Sequence, residues 1–580
     1  MLVLKGVAAS PGVAIGPAVL LPGESFAVTR HYVEPSEVKN EIRKLNTAVQ
    51  KTLSDLNACE QKVMGELGGE YANLLSAHKL ILQDPSLSGS VTKKITTEHL
   101  SAQAAILFTL QELAAQFEKI EDPFFKERRN DIFDVGKRLV SNLEGDDRGF
   151  LESIKKPSLL VAHNLYPSDT INLQANQVMG FCTDAGGKTS HTALLAQSLN
   201  IPAVVALGTA SKDVRDGDTL IIDGENGLLV INPDKYTLAN YRKIQREIKK
   251  TDALLKTINH LPVITSDGHP VKLYVNYDPR TDNKDNKRLI TDGLGLLRTE
   301  FLFMNTPVPP TEEEQYQIYL AVAKRFDMRP VTIRLADLGA DKMPDFPLDE
   351  FDQDANPFMG CRGIRLFLKN PELLHTQLRA IIRTACEVPA QVKIMIPMIS
   401  SVEEIRHVRE AFNQALAEFE AKGKKPVNKI ALGGMIEVPA AAIALDGMIG
   451  DLDFISIGTN DLIQYLIAVD RVNQEVAHMY DPCHPAVVRT LNLILQTVHK
   501  RGKHASICGE LASDAKMLPI LLGLNVDALS VTPRMYLRVK NNIRNSNFEH
   551  CSDLAQAALL MGSSADIRNL IEQNDKHEDS

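Results

Sequence analysis

Two sets of residues in this chain have the type and spacing for chemistry. The first is a loop, Gly186-Gly187-Lys188-Thr189-Ser190-His191-Thr192-Ala193-Leu194-Leu195-Ala196. Two glycines allow a tight turn, Thr189 and Ser190 are good caps, and apolar residues from Ala193 to Leu199 recur at helical spacing. A helix therefore starts beside His191. Its unpaired first-turn N–H groups and positive dipole end would hold an anion carried by the ring. The same field disfavours the imidazolium and keeps His191 a neutral nucleophile. Alone, such a histidine is more often a cap or packing residue.

The second set lies in the carboxy-terminal half, where polar residues follow apolar runs: Arg298-Thr299-Glu300, Arg334 with Asp337 and Asp341-Lys342, Met398, Glu437, Asn460-Asp461, and Cys508-Gly509-Glu510. Arg298, Arg334, Arg362, Arg365 and Arg471 supply more positive charge than a neutral substrate needs, and guanidinium forks match carboxylate and phosphate. The substrate read from them is a small polyanion, with Arg365 expected instead in a surface ion pair. Glu437 and Asp461 offer two hard oxygen ligands suited to Mg²⁺ completed by substrate oxygens and water. Without a metal, each carboxylate would need an arginine to balance it. Cys508 is placed to donate a proton, its thiol cycling through thiolate near arginines and a metal; the plainer reading is a buried small hydrophobe. Cys361, beside Arg362, is a weaker competitor.

The elements that must position these residues are regular. Eight segments read as buried strands: Val271 to Asn276, Gly293 to Leu297, Val331 to Leu335, Val392 to Ile396, Ile430 to Ile436, Asp453 to Ile457, His504 to Ile507 and Asp527 to Val531. Amphipathic helices such as Thr311 to Arg325, Pro371 to Ala385, Val402 to Glu420 and Ala486 to Lys500 lie between them. This alternation predicts an α/β fold ending in a TIM (β/α)8 barrel, with the polar residues on the carboxyl face where barrel enzymes carry their sites.

Ahead of the barrel, the segment Ala8 to Gly16 reads as turn and strand, followed by helices from Pro35 whose apolar residues step by three and four. Further helices are expected over Tyr71 to Leu82, Ala102 to Phe117 and Asp131 to Leu143, with a break at Asp84-Pro85. His78 reads as a partly buried bundle residue. Short strands return after Pro157 at Leu159 to Ala162, Val178 to Phe181, Ala203 to Ala206 and Thr219 to Asp223. The expected organisation is a histidine-bearing α/β subdomain (residues 1–25 and 145–233) interrupted by a helical subdomain (26–144), then a linker helix (234–260) and the barrel (261–580). A helical insert without chemistry fits a docking surface for another protein.

The chain has 580 residues and a net charge of −9, with Lys and Arg dispersed, which argues against nucleic acid or anionic lipid as partner. No signal pattern and no apolar run of about eighteen residues appears, so a cytoplasmic protein without membrane insertion is expected. Seven scattered cysteines without a CxxC pair fit reduced thiols rather than a disulfide frame or structural zinc.

Gly-Gly-Lys-Thr-Ser-His at 186–191, Leu-Leu-Arg-Thr-Glu-Phe-Leu-Phe at 296–303, Asn-Pro-Phe-Met-Gly-Cys-Arg at 356–362, Ser-Ile-Gly-Thr-Asn-Asp-Leu at 456–462 and Ile-Cys-Gly-Glu-Leu at 507–511 together resemble the Enzyme I family. These are the phosphoenolpyruvate–protein phosphotransferases of the bacterial sugar phosphotransferase system, and the resemblance runs collinearly along nearly the whole chain. It implies that His191 takes the phosphoryl group of phosphoenolpyruvate on Nε2 and passes it to a histidine of the carrier protein HPr. It further implies that Arg298, Arg334, Asn460, Asp461 and Arg471 bind phosphoenolpyruvate, that Glu437 and Asp461 bind Mg²⁺, and that Cys508 protonates the enolate to pyruvate. By the same resemblance the protein would be a homodimer through its barrel, and the linker helix would let the His191 domain alternate between barrel and HPr.

Lys188 replaces the arginine usual in the histidine loop, keeping the charge but losing the fork. The segment Ala72 to Lys79 has few acids where relatives often have several, a difference that falls on HPr recognition. Phosphoenolpyruvate synthase and pyruvate–phosphate dikinase share the loop and barrel but need a large nucleotide-binding region, which the helical insert is too short to supply. A regulatory scaffold without turnover is opposed by the intact His191, Arg298, Glu437, Asp461 and Cys508.

Overall fold

A computed structural model describes the chain except residues 22–30, 67–77, 118–131, 133–134, 137, 141, 144–153, 155, 166–176, 188–191, 193–195, 197–200, 280–288, 305, 340–341, 343, 345, 347–355, 472, 474 and 579–580. The chain divides into two compact units, residues 1–252 and 253–580.

In the first unit β1 (Leu2–Lys5), β2 (Val7–Ser10), β3 (Val13–Leu20), β4 (Ser158–Ala162), β5 (Val178–Thr183), β6 (Ala203–Val205), β7 (Thr219–Asp223) and β8 (Leu228–Ile231) form one sheet in the order β1-β8-β7-β3-β4-β5-β6-β2. The run from Ala8 to Gly16 does join the later strands: β2 pairs with β6 and β3 with β4 and β7. The helices Val38–Glu66, Pro85–Glu98 and Ala102–Phe117 are inserted between β3 and β4. Alternation along the strands gives the sheet two apolar faces. Leu160, Phe181, Ala203 and Val205 pack into one cluster with Leu45, Leu56, Ile95 and Ile106 of the helices; Leu159, Val161, Leu220 and Ile222 form another. Helix Pro85–Glu98 was not foreseen, because Ser, Thr and an internal Gly89 weaken its helical signal.

The second unit is a closed barrel of parallel strands: β9 (Lys272–Tyr277), β10 (Leu294–Leu297), β11 (Pro330–Arg334), β12 (Gln391–Ile396), β13 (Ala431–Ile436), β14 (Ile455–Gly458), β15 (Ala505–Cys508) and β16 (Ala528–Val531), with β16 pairing back to β9. The strands fall within two residues of the sequence expectation, since strands buried on both faces read as continuous apolar runs. Residues such as Leu273, Ile333, Ile394, Ile457 and Leu529 face the surrounding helices in one large core. Leu296, Met395, Met435 and Cys508 form a separate small cluster, the alternate face that fills the barrel. The outer helices start on strong caps: Thr311 and Ser401 each complete a reciprocal capping box, with Glu314 and Glu404. Among the described residues no helix is long and apolar enough to cross a membrane.

Candidate active site

His191, Lys188, Thr189 and Ser190 lie outside the described residues. What surrounds them is described. Gly186 has φ +110°, the left-handed turn that its lack of Cβ permits. Thr192 is buried and helical, its Oγ1 donating to the carbonyl of Leu165 at 3.1 Å. Ala196, also helical, is fully buried, and its carbonyl accepts from Ser10 Oγ at 3.4 Å.

At the carboxyl end of the barrel the structure gathers a dense set of buried charges around Asp337, just past β11. Asp337 is fully buried; Arg362 Nη2 donates to its Oδ2 at 2.7 Å and Lys342 Nζ does so at 3.1 Å. Arg334, the last residue of β11, donates through Nη2 to Glu300 at 2.8 Å, and the same Glu300 oxygen accepts from the Asp337 N–H at 2.8 Å. Burial pushes the Asp337 carboxyl up, but Lys342, Arg362 and Arg334 outweigh it and hold it well below the usual carboxylate range. Glu300 likewise ends below its ordinary value, Arg334 and Lys342 overcoming its desolvation. Arg334 Nε is buried and has no hydrogen-bond partner among the described residues, a donor left over for a ligand.

Glu437 behaves oppositely. It follows β13, is buried, and accepts at 2.7 Å from the N–H of Met398, a residue held at φ +56°. Burial, then the charges of Asp461 and Asp337, push its carboxyl up to about 8, and Arg334 offsets only part of this. Asp461 sits in the first turn of helix Thr459–Leu466 after β14, the strand beside β13, and meets Arg362 Nη1 at 3.4 Å. Arginine thus reaches Asp461 but leaves Glu437 under-neutralised. Tyr465 ties this helix to the 356–362 loop: its hydroxyl accepts from Arg362 at 3.0 Å and donates to the Phe358 carbonyl.

Cys508 ends β15 inside the barrel and is 2% exposed. Desolvation raises its thiol; a hydrogen bond from Ser456 lowers it and the charge of Glu437 raises it further, leaving it above its ordinary value and so protonated at neutral pH. Gly509 has φ +103°, and a Cβ there would lie 2.5 Å from Thr459 Oγ1 and 2.9 Å from Asn460 Oδ1. Only glycine lets the chain past Cys508 pass so close to the Asn460 turn. Asn460 Oδ1 also accepts from the Glu510 N–H at 3.0 Å.

Arg298 follows β10 and is exposed, with its charge felt at Cys508. Arg471 is half-buried, its N–H donating to Gln464 and its charge felt at Tyr480, which also feels Asp461. Arg365, expected in a surface ion pair, has none among the described residues; it donates to the carbonyls of Met359 and Gly360 at 3.2 and 3.3 Å, bracing the loop that carries Arg362. Sequence reasoning picks out Asp337 as a strand-end acid but gives it no role, and it does not reach Tyr465 at all.

Comparisons with known proteins identify the family. Three families match in succession: "PEP-utilising enzyme, N-terminal" over residues 5–128, "PEP-utilising enzyme, mobile domain" over 154–227, and "PEP-utilising enzyme, PEP-binding domain" over 252–548. The phosphoenolpyruvate-protein phosphotransferase of Listeria monocytogenes is 37% identical over 98% of this chain and 99% of its own. The chain belongs to the phosphoenolpyruvate–protein phosphotransferase family, Enzyme I. Its Bacillus subtilis relative of the same name is 35% identical over 99% of this chain and the whole of its own. A solution structure titled as Enzyme I is 38% identical, covering 42% of this chain and 99% of that chain with a TM-score of 0.35. The histidine loop falls in the mobile-domain match and the buried charges in the PEP-binding match.

Proposed function

We propose that this Enzyme I binds phosphoenolpyruvate at the carboxyl end of its barrel, moves the phosphoryl group to His191 Nε2, and then to a histidine of HPr, releasing pyruvate. The observation that carries this reading is the contrast between Asp337, over-supplied with cations, and Glu437, a buried carboxyl pushed up to about 8 beside Asp461. Such a site is built for a ligand that brings negative groups to the arginines and a cation to the acids.

Arg334, Arg362, Arg298 and Arg471 bind the phosphate and carboxylate, with Asn460 orienting the phosphate. Asp337 and Glu300 hold Arg334 and Arg362 in place before substrate arrives, so positive charge is already aimed where it is needed. Glu437 and Asp461 would hold Mg²⁺; the residues fit, because an added cation removes the repulsion that keeps Glu437 protonated. Among the described residues no group of three protein ligands is arranged for a metal, which fits a cation completed by substrate oxygens. When bound, the ion neutralises phosphate oxygens and the departing enolate. His191 attacks phosphorus from its neutral form, and Cys508 then gives its thiol proton to C3 of the enolate.

The helical subdomain (26–144) docks HPr, the linker (234–260) joins the His191 subdomain (1–25 and 145–233) to the barrel (261–580), and the enzyme works in the cytoplasm as a homodimer through that barrel. Incubation with ³²P-phosphoenolpyruvate and Mg²⁺ tests the reading. Acid-labile label on wild type but not on His191→Ala, chased onto HPr with one pyruvate released per phosphoryl group, is the expected result. Label that persists in His191→Ala would overturn it.

A further inference from the structure

Cys508 can act as an acid once per turnover only if its thiolate regains a proton, and the buried interior of the barrel offers a route. Ser456 and Ser506 are register partners on β14 and β15, and Ser506 precedes Cys508 by two residues, so all three side chains share the inward face. Ser506 Oγ donates to Ser456 Oγ at 3.1 Å, and Ser456 Oγ donates to Cys508 Sγ at 3.4 Å. The thiol in turn donates to the Ile457 carbonyl at 3.4 Å. Ser456 is 1% exposed, whereas Ser506 is partly exposed. Donors and acceptors therefore alternate without a break from a water-reachable hydroxyl to a buried sulfur. The apolar neighbours Leu296, Met395 and Met435 leave Cys508 little other access to protons from within the barrel.

We propose that Ser506 and Ser456 form a hydroxyl relay that reprotonates Cys508 from the barrel interior, on the side away from bound substrate. This rests on the reading of Cys508 as the proton donor to the enolate. In the donation, the enolate electron pair forms the C3–H bond of pyruvate and the S–H bond breaks, leaving thiolate. The thiolate then takes the Ser456 hydroxyl proton, Ser456 takes that of Ser506, and Ser506 takes one from water, leaving hydroxide in solvent. Neither serine touches the substrate; both act through Cys508 and are positioning residues in that sense.

The relay separates two quantities. Reprotonation follows product formation, so it enters kcat but not kcat/KM. With saturating phosphoenolpyruvate, Mg²⁺ and HPr, Ser456→Ala is expected to give one rapid pyruvate per barrel followed by a steady rate about tenfold below wild type. Its kcat/KM stays at the wild-type value, so KM falls in proportion. Ser506→Ala, which removes a hydroxyl not in contact with Cys508, gives the same pattern in weaker form, about threefold. Ser506→Thr and Ser456→Thr, which keep the hydroxyl, restore the steady rate. Cys508→Ala is the control for the underlying reading: wild-type pyruvate release from that variant would remove Cys508 from the reaction altogether. Slow release from Cys508→Ala, together with wild-type kcat and no burst in both serine-to-alanine variants, would overturn the relay alone and route the proton through the site mouth. Equal losses in kcat and kcat/KM for Ser456→Ala, unrescued by threonine, would also overturn it by marking a purely structural role.

Discussion

The two ends of the barrel use the same residue types for opposite purposes. At the amino end, aspartates just ahead of β10, β14 and β16 reach back to the preceding strand: Asp292 accepts from the Leu273 N–H, Asp453 from Leu432 and Asp527 from Ala505, each at 2.8 Å. Each carboxylate closes one open backbone donor and stays within reach of water; Asp453 also meets Arg409, and Asp527 meets the His499 ring. At the carboxyl end, Glu300, Asp337, Glu437 and Asp461 are almost wholly buried and share Arg334, Arg362 and Lys342 unevenly. Charge at the amino end is satisfied locally and serves stability; charge at the carboxyl end waits on a ligand.

That contrast can be attacked by substitution. The largest effect is expected at Arg334. Arg334→Met leaves Glu300 and Asp337 under-paired in the interior, costing about 3–5 kcal/mol in urea unfolding of the barrel, and lowers label transfer from phosphoenolpyruvate about 10³-fold. A mutant that unfolds like wild type would show that the network is not held by Arg334.

Glu437→Gln comes next, with an opposite sign for stability. The folded carboxyl is raised to about 8, above the unfolded value near 4.5. Its contribution is therefore whole below about pH 4.5 and is lost as pH rises through 8. Gln cannot ionise, so in metal-free buffer at pH 8–9 Glu437→Gln should be the more stable protein by a few kcal/mol, converging with wild type in acid. Added Mg²⁺ with phosphoenolpyruvate should reverse the ranking, and the variant should lose about 10²-fold in labelling. Melting curves that never cross would remove the under-neutralised carboxylate from the account.

At the other end, Asp527→Asn should cost only about 1 kcal/mol, because its ion pairs are screened by solvent, and should leave labelling unchanged. Burial raises this carboxyl, but the Ala505 N–H and the two histidines outweigh it and hold it low. Its contribution is present above the usual Asp value and disappears as pH falls through the lowered one, so the variant and wild type should converge in acid. A tenfold loss of activity here would break the division between the two ends. Smallest of all, Ser401→Ala removes one half of a capping box and should lower barrel stability by about 1 kcal/mol at constant kcat.

The barrel was legible because most strands are short apolar runs that lead into a polar residue, and Glu437, Asp461 and Cys508 could be read from that punctuation. The interior hydroxyls could not. Ser456 sits between Phe454-Ile455 and Ile457-Gly458 and reads as one more strand residue until pairing with β15 sets it against Ser506 and Cys508. Asp337 appeared as one charge among several, and its place at the centre of three cations depends on Arg362 returning from a loop twenty-five residues later. In the first unit, β1 and β8 passed unnoticed because Leu2 to Lys5 is an exposed edge strand whose partner lies at the far end of the sheet's sequence. Long-range pairing decides all of these, and spacing along the chain carries little of it.

Phosphoenolpyruvate binding to His191→Ala, expected to bind without turnover, reports on the carboxyl end of the barrel alone. Calorimetry with and without Mg²⁺, repeated in the double variants His191→Ala with Glu437→Gln and His191→Ala with Asp527→Asn, separates the two ends of the barrel. The expected result is Mg²⁺-dependent binding that Glu437→Gln weakens at least tenfold and Asp527→Asn leaves unchanged. Binding of equal strength in all three proteins, or independent of Mg²⁺, would contradict it.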